Sequence, residues 1–453
     1  MITKTLSDFA LKTSYDSIPQ EAVVAAKKAL LDYLGVTVAG SRDSTGKIIT
    51  AFVKESGGNP DAGVIAGGFK TSPFFAALSN GVMGHALDYD DECESWNSHP
   101  SVAVLPAVLA LGEKLGTSGK DLLTAYILGW EVAARLGASN GFYKALDHGY
   151  HPTPAIGTLS STAASARVLK LSTEQTMMAF GIGASQASGL IVNHGTDTKP
   201  LHAGLAASNG LRSAQLAEQG FTASADILDN PNGYFKAVMG EAYDPSNLDG
   251  LGKSYDIMSS LCIKAYPCCY CNQRPLDSIF HLIKEHKIRS DDVAEIEAKA
   301  FPLQIKVMPY AQPKTGLEAK FSLQYSLATA LVHGAATLKE YAKEKVLDPR
   351  VQELLPKIKV IPVEGVGMED YTHCASGQMV TVKLKDGTQY SYDSVRPRGH
   401  SSNPMDWDEV AEKFRACTED TLAQKDVERC EELVGQFESL GNVAELMSIL
   451  TKA

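Results

Sequence analysis

No stretch of about 18 apolar residues occurs in this chain of 453, so no segment has the makings of a membrane-spanning helix. The opening residues, MITKTLSDFALKTS, have no apolar run behind a basic start, so no secretory leader is expected and a cytoplasmic location is. Basic side chains are in deficit: 42 Lys and Arg face 53 Asp and Glu, a formal net charge of −11. That balance argues against nucleic acid, whose phosphates need a basic face. The eight cysteines are too few to form a disulfide framework at this length. Cys268, Cys269 and Cys271 crowd together, but adjacent cysteines chelate poorly. Structural or catalytic thiols are therefore expected, and no metal site.

What is present is an ordinary globular composition, 44% hydrophobic and 21% charged, in a chain long enough for two domains. Apolar residues recur at helical spacing over Gln20–Val36, Ser72–Leu87, Ser101–Leu115 and Asp121–Leu136. Ser172-Thr-Glu-Gln175 is a capping-box signature ahead of a further helix. Many of these stretches are rich in Ala, Gly and Ser, which lets helix axes approach closely. After Pro267 the pattern changes. Asp277–Lys287 reads as helix, Ala294–Met308 and Lys357–Val363 as strands, and Met379–Val395 as a hairpin turning on Asp386-Gly387. From Asp406 an amphipathic helical pattern returns. The expected fold is mainly α, with a large discontinuous helical domain (1–267 plus 399–453) and an inserted smaller α+β lid domain (268–398).

An acidic protein that binds an acidic ligand needs a local gathering of cations. Four segments collect ionisable residues among Gly, Pro and Ser. His85-Ala-Leu-Asp-Tyr-Asp-Asp-Glu92 leads to His99-Pro-Ser101, where Pro100 suits the first turn of a helix. Capping and turn chemistry would account for these acids without any function. Gly149-Tyr-His-Pro-Thr-Pro154 holds His151 in a constrained turn, which a structural loop histidine would equally explain. In Asn193-His-Gly-Thr-Asp-Thr-Lys-Pro-Leu-His-Ala-Gly204, Lys199 stands at a helix start with His202 one turn on. A lysine there opposes the helix dipole and calls for a partner anion, while free helix amides favour a carboxylate. Lys264-Ala-Tyr-Pro-Cys-Cys-Tyr-Cys-Asn-Gln-Arg274 lies at the expected domain boundary, where clefts form. Lys264 and Arg274 suit carboxylates, although a pair of surface cations beside a linker would look the same.

Jointly these segments resemble the MmgE/PrpD family in order and spacing over nearly the whole chain. The resemblance is carried by Asp88-Tyr-Asp-Asp91 with His99-Pro-Ser101, His151-Pro-Thr153, Thr198 to Gly204, Lys264 to Cys269, and Glu318-Ala-Lys-Phe-Ser322 continuing to Tyr325. It implies a homodimeric enzyme without metal or organic cofactor that acts on a small di- or tricarboxylic acid. The reactions known in the family are decarboxylation of cis-aconitate, epimerisation of iminodisuccinate and dehydration of 2-methylcitrate. Each moves a proton at carbon beside a carboxylate, which calls for an acid/base pair and fixed cations.

By resemblance Asp88, His99, His151, Lys199 and Tyr325 are catalytic, and Lys264, His202, Cys269, Gln273 and Arg274 contact substrate. His99 or His151 would move the proton, Lys199 and Lys264 would hold carboxylates, Tyr325 would donate a hydrogen bond or proton, and Asp88 would orient a histidine. Dehydratase-type members usually carry Asn where this chain has Asp90, as the decarboxylase and epimerase types do, which demotes dehydration; Tyr325 matches the decarboxylase type. The run from Cys269 to Leu276 is more similar to the epimerase type. Glu92 stands where decarboxylases tend to have Thr, and Gln273 where most members have a titratable His. Cys269 and Arg274 are the nearby replacements for that histidine. A non-catalytic carboxylate-binding homologue is the remaining alternative.

Overall fold

The computed structural model describes residues 1–138, 141–365 and 377–452, with the side chains of 141–143 left aside. Cys374 of the cysteine set lies outside the described residues; the other seven are free thiols.

The fold is mainly α. Its first hydrophobic core joins residues between Ile2 and Ile263 to a closing segment, Met405 to Leu450. The principal helices are α1 (Gln20–Gly40), α2 (Pro73–His85), α3 (Pro100–Leu115), α4 (Gly119–Gly137), α5 (Pro152–Val168) and α6 (Thr198–Glu218). Most are buried on nearly every side, α5 along almost its whole length. This explains why their sequences are apolar and small-residue-rich rather than amphipathic. Small residues also set the spacing of the axes. A Cβ on Gly81 of α2 would lie 2.7 Å from Cα of Gly204 in α6, and one on Gly204 would lie 2.4 Å from the Leu78 carbonyl oxygen. Only glycine on both helices permits this approach. The crossing lies one turn from His85, which ends α2, and just beyond Lys199, in the first turn of α6.

A second core gathers residues between Cys268 and Val382. It contains α7 (Gln273–His286), α8 (Leu323–His333) and a four-stranded sheet of β3 (Val293–Ala300), β4 (Ile358–Pro362), β5 (Val380–Leu384) and β6 (Gln389–Tyr392), in the order β4-β3-β5-β6. β3 pairs parallel with β4 and antiparallel with β5. The hairpin turns where Asp386-Gly387 predicts, with Gly387 at φ 91° and Asp386 accepting from the Thr388 amide at 2.9 Å. One expectation is corrected. The strand ends at Ala300, not Met308, because Pro302 opens a short helix (Pro302–Val307), and Gln304 reaches back to the Phe301 amide at 2.7 Å.

Two short strands, β1 (Glu92–Cys93) and β2 (Leu261–Cys262), pair antiparallel beside the site. The final helices return to the first core, led by α9 (Trp407–Thr418), whose capping box of Asp406 and Glu409 is complete. Among the described residues no helix is long and apolar enough to cross a membrane.

Candidate active site

Helix ends converge on one cavity. His99 and His151 occupy the N-cap positions of α3 and α5, each followed by a proline at the first helical position. Neither side chain caps its own helix, which leaves both imidazoles for the space in front. Lys199 comes from the first turn of α6, and His85 from the last turn of α2. Cys269, Tyr270, Leu303, Val307 and Phe321, from the second half of the chain, close the other wall. The cavity between them is narrow, about 60 Å³.

The anion that Lys199 requires is Asp88, whose Oδ1 lies 2.6 Å from Nζ. Lys264 Nζ lies 3.4 Å from the same oxygen and donates to the Asp88 carbonyl at 2.9 Å. Burial alone would raise this carboxyl, but the two ammoniums outweigh it and hold it well below the usual carboxylate range. Asp88 itself sits at φ 51°, a left-handed conformation uncommon outside glycine, and such strain concentrates at functional sites.

The carboxylate that meets the histidines is Asp90, not Asp88. Asp90 Oδ1 is 2.9 Å from His85 Nδ1, and Oδ2 is 3.1 Å from His99 Nδ1, which also reaches the Asp91 carbonyl at 2.9 Å. These bonds fix the ring proton on Nδ1 and turn Nε2 forward. In His85 that Nε2 accepts from Lys199 at 2.9 Å, completing a chain Asp90–His85–Lys199–Asp88. His151 Nδ1 is held by His202 Nδ1 at 3.1 Å.

Burial pushes every one of these imidazoles toward the neutral form, with the lysines reinforcing it. His85 falls to about 3 and His202 to about 4. His99, His151 and His194 are lowered too, His151 and His194 strongly. A stability prediction follows by linkage. An unfolded histidine takes up its proton near pH 6.5, whereas the folded one does not until far lower. Each such group therefore costs the fold about 1.4 kcal/mol per pH unit below that point. The melting temperature is expected to fall between about pH 7 and 5, and the slope to flatten in His202→Asn. An unchanged slope in that variant would remove His202 from the account.

The expected site residues divide. Asp88, His99, His151, Lys199 and Cys269 line the cavity, with Lys264 and His202 directly behind them. Tyr325 lies in the second core, its hydroxyl donating to the Glu340 carbonyl. Gln273 is fully buried and turned inward: its Oε1 accepts from the Ala265 and Tyr266 amides at 3.1 Å, and its Nε2 donates to the Tyr266 carbonyl at 2.9 Å. Arg274 donates to the Ser394 carbonyl at 2.9 Å and pairs with Asp393 at 3.1 Å. The structure does not bring these three to the cavity.

Sequence reasoning missed His85, Asp90, Glu92, His194 and Phe321 as parts of the site. His194 faces His151 edge-on at 4.9 Å between ring centroids, and neither of its nitrogens has a partner among the described residues. Glu92 lines the cavity, and burial raises its carboxyl well above the usual range despite Lys264. Both stood inside segments already singled out, so adjacency to the motif residues was the available signal.

His85, Asp88, Asp90 and His99 bring donor atoms close enough to hold a metal ion. Lys199 Nζ, however, already bridges His85 Nε2 and Asp88 Oδ1, so the donor set is satisfied by an ammonium. Glu94, Cys262 and His400 form a second such group. There His400 Nδ1 accepts from the Ser402 amide, which puts the ring proton on Nε2 toward Glu94 and makes that nitrogen a donor, not a ligand.

Fold and site together define a class: a mainly helical protein with a second α+β core, whose buried lysines and neutral histidines suit proton transfer beside a bound anion. The MmgE/PrpD N-terminal domain matches over residues 4–246 and the MmgE/PrpD C-terminal domain over 266–439. The chain belongs to the MmgE/PrpD family. It is 30% identical to the cis-aconitate decarboxylase of Mus musculus over 94% of this chain and 88% of that protein. It is 29% identical to that of Homo sapiens, over 96% and 91%. The mitochondrial 2-methylcitrate dehydratase of Yarrowia lipolytica is 26% identical over 88% of this chain and 80% of its own.

Proposed function

We propose that this chain is a carbon–carbon lyase that decarboxylates a small tricarboxylic acid of the cis-aconitate type, and that it works as a homodimer. The observation that carries the reading is the cavity itself, with two buried ammoniums clustered on Asp88 beside forward-facing, neutral histidines. The relatives named cis-aconitate decarboxylase, which align over nearly the full chain, support the choice of reaction.

In the proposed step the bond between the carboxyl group and the CH₂ of cis-aconitate breaks and releases carbon dioxide. The freed electron pair forms the new CH₂=C bond, and the former π pair moves to the neighbouring CH, which stands beside a retained carboxylate. One proton delivered to that carbon completes itaconate. Negative charge passes through the retained carboxylate as an enediolate, where Lys199 and Lys264 stabilise it. His151 is the proton carrier, its Nδ1 anchored on His202 and its Nε2 left for the ligand.

Around the cavity the ammoniums of Lys199, Lys264 and Lys320 exceed the carboxylates of Asp88 and Asp90 by one charge, so a trianionic ligand is expected to recruit protons. Its charge opposes the burial and the lysine charges that together keep the histidines neutral. Calorimetry of tricarballylate binding near pH 7.5 in buffers of differing ionisation enthalpy is expected to show uptake of about one proton or more. Binding without uptake would contradict the assignment of the histidines.

The test of the reaction is incubation in deuterated water with cis-aconitate, iminodisuccinate and 2-methylcitrate, followed by NMR and mass. Itaconate carrying deuterium at the protonated carbon supports the proposal. A second reading, epimerisation, draws on Cys269, whose thiol lines the cavity and is held below its ordinary range by the hydrogen bond with Cys271. Inversion with exchange and no loss of mass would favour it. Loss of water would favour the dehydratase, and binding without turnover a non-catalytic homologue.

A further inference from the structure

The turn at left-handed Asp88 carries an arrangement that the reaction does not by itself require. Three consecutive carbonyls, those of Leu87, Asp88 and Tyr89, each accept from a different buried lysine. Lys320 Nζ reaches the Leu87 oxygen at 2.6 Å, Lys264 Nζ the Asp88 oxygen at 2.9 Å, and Lys413 Nζ the Tyr89 oxygen at 2.8 Å. These lysines come from the small domain, the connection between the cores, and α9. Their exposures are 5%, 0% and 7%.

The three differ in what else they hold. Lys264 has Asp88, and Lys413 has Asp32 at 2.6 Å and also bonds the Lys264 carbonyl at 2.9 Å. Lys320 has no carboxylate within ion-pair distance among the described residues. Among the described residues its Nζ donates to the Asp88 turn alone, at the Leu87 carbonyl. Its own carbonyl accepts from the Cys269 amide at 3.0 Å and from Asn272 Nδ2 at 3.2 Å, so it also holds the opposite cavity wall. The next residue, Phe321, lies 5.2 Å beneath the Lys199 ammonium.

We infer that Lys320 is a positioning residue, through which the seating of the small domain sets the conformation of Asp88 and hence the lysine cluster of the active site. The inference rests on the site described above, not on the identity of the reaction. A buried ammonium aimed at one carbonyl is a charge-assisted donor, and losing it leaves the Leu87 oxygen unsatisfied next to a strained residue. The groups facing Lys320 are Asp43, Asp88, Cys268 and Lys264. Burial outweighs the acids among them and brings its ammonium down to about 8. The clamp is therefore charged at neutral pH and weakens as pH rises through that value.

Two measurements test this. The first is kcat of the wild type and of K320M between about pH 7 and 10. The wild type is expected to lose activity along an alkaline limb at about pH 8 or above. K320M is expected to be at least about tenfold slower at pH 7, with that limb gone. A flat wild-type profile overturns the proposal. So does a limb that persists in K320M, which would belong to the Cys269 thiol. The second measurement needs no substrate: crystal structures of the wild type and K320M at neutral pH. The Asp88 turn is expected to relax in the variant, with φ turning negative or the Lys199 contact opening beyond hydrogen-bond distance. An unmoved turn overturns the proposal even if cis-aconitate proves to be the wrong substrate. Failure of the wild type on every acid offered, with the turn relaxed in K320M, would count against the proposed reaction alone.

Discussion

Replacing Lys199 by Met is expected to lower kcat/KM by about three orders of magnitude or more, and to destabilise the fold as well. The catalytic loss comes from removing a fixed ammonium where charge develops; a single neutral donor in such a position is worth about 10²–10³ in rate, and a buried cation more. The stability loss has a separate cause. Asp88 and His85 Nε2 both rely on this ammonium, at 2.6 and 2.9 Å. Removing one member of a buried pair costs about 3–5 kcal/mol, and Lys264, 3.4 Å from the same oxygen, should keep the cost near the lower end. The two effects separate in K199M/D88N, where the stranded carboxylate is gone. Thermal melts should recover most of the loss, while turnover stays absent. Wild-type kcat/KM within tenfold in K199M would remove the carboxylate-holding role. A double variant no more stable than K199M would remove the ion-pair account.

Replacing His151 by Gln is expected to reduce kcat by about 10²–10⁴ while leaving the melting temperature nearly unchanged. The side chain is buried, but its recorded hydrogen bond is to His202 Nδ1 at 3.1 Å, and an amide can replace that contact. What the amide lacks is a titratable proton. Single-turnover measurements with cis-aconitate would read the chemical step directly. His194, at 4.9 Å from His151 and with both nitrogens unpartnered among the described residues, is the internal control. Retained rate in H151Q with loss in His194→Gln would transfer the proton carrier from one ring to the other. Loss in both would show that the pair acts as a unit, and retention in both would end the histidine mechanism.

Much of the fold was legible because its signals are local. The capping box of Ser172 and Gln175, the Asp386-Gly387 turn and the prolines after His99 and His151 each act within a few residues, and each stands where the pattern predicts. The one misplaced strand end has the same explanation, since β-like alternation ran on past a proline whose place at a helix start depends on Gln304. The candidate site was legible only in part. Lysine at a helix start implies an anion, but nothing local tells Asp88 from Asp90. Both stand in one short turn, and the backbone conformation at Asp88 sends one toward lysines and the other toward histidines.

Sequence by itself therefore determined the elements, the family and the stock of groups that the cavity draws on, because capping, turn chemistry and hydrophobic period operate over a few residues. Tertiary structure alone decided which groups meet. Lys199 finds His85 across 114 residues and Lys320 finds Leu87 across 233. It also directed Gln273, Arg274 and Tyr325 to backbone and core partners away from the cavity. The physical reason is that a buried polar atom must be satisfied by whatever packing brings within about 3 Å, and that distance is set by helix crossings such as Gly81 against Gly204, not by spacing along the chain.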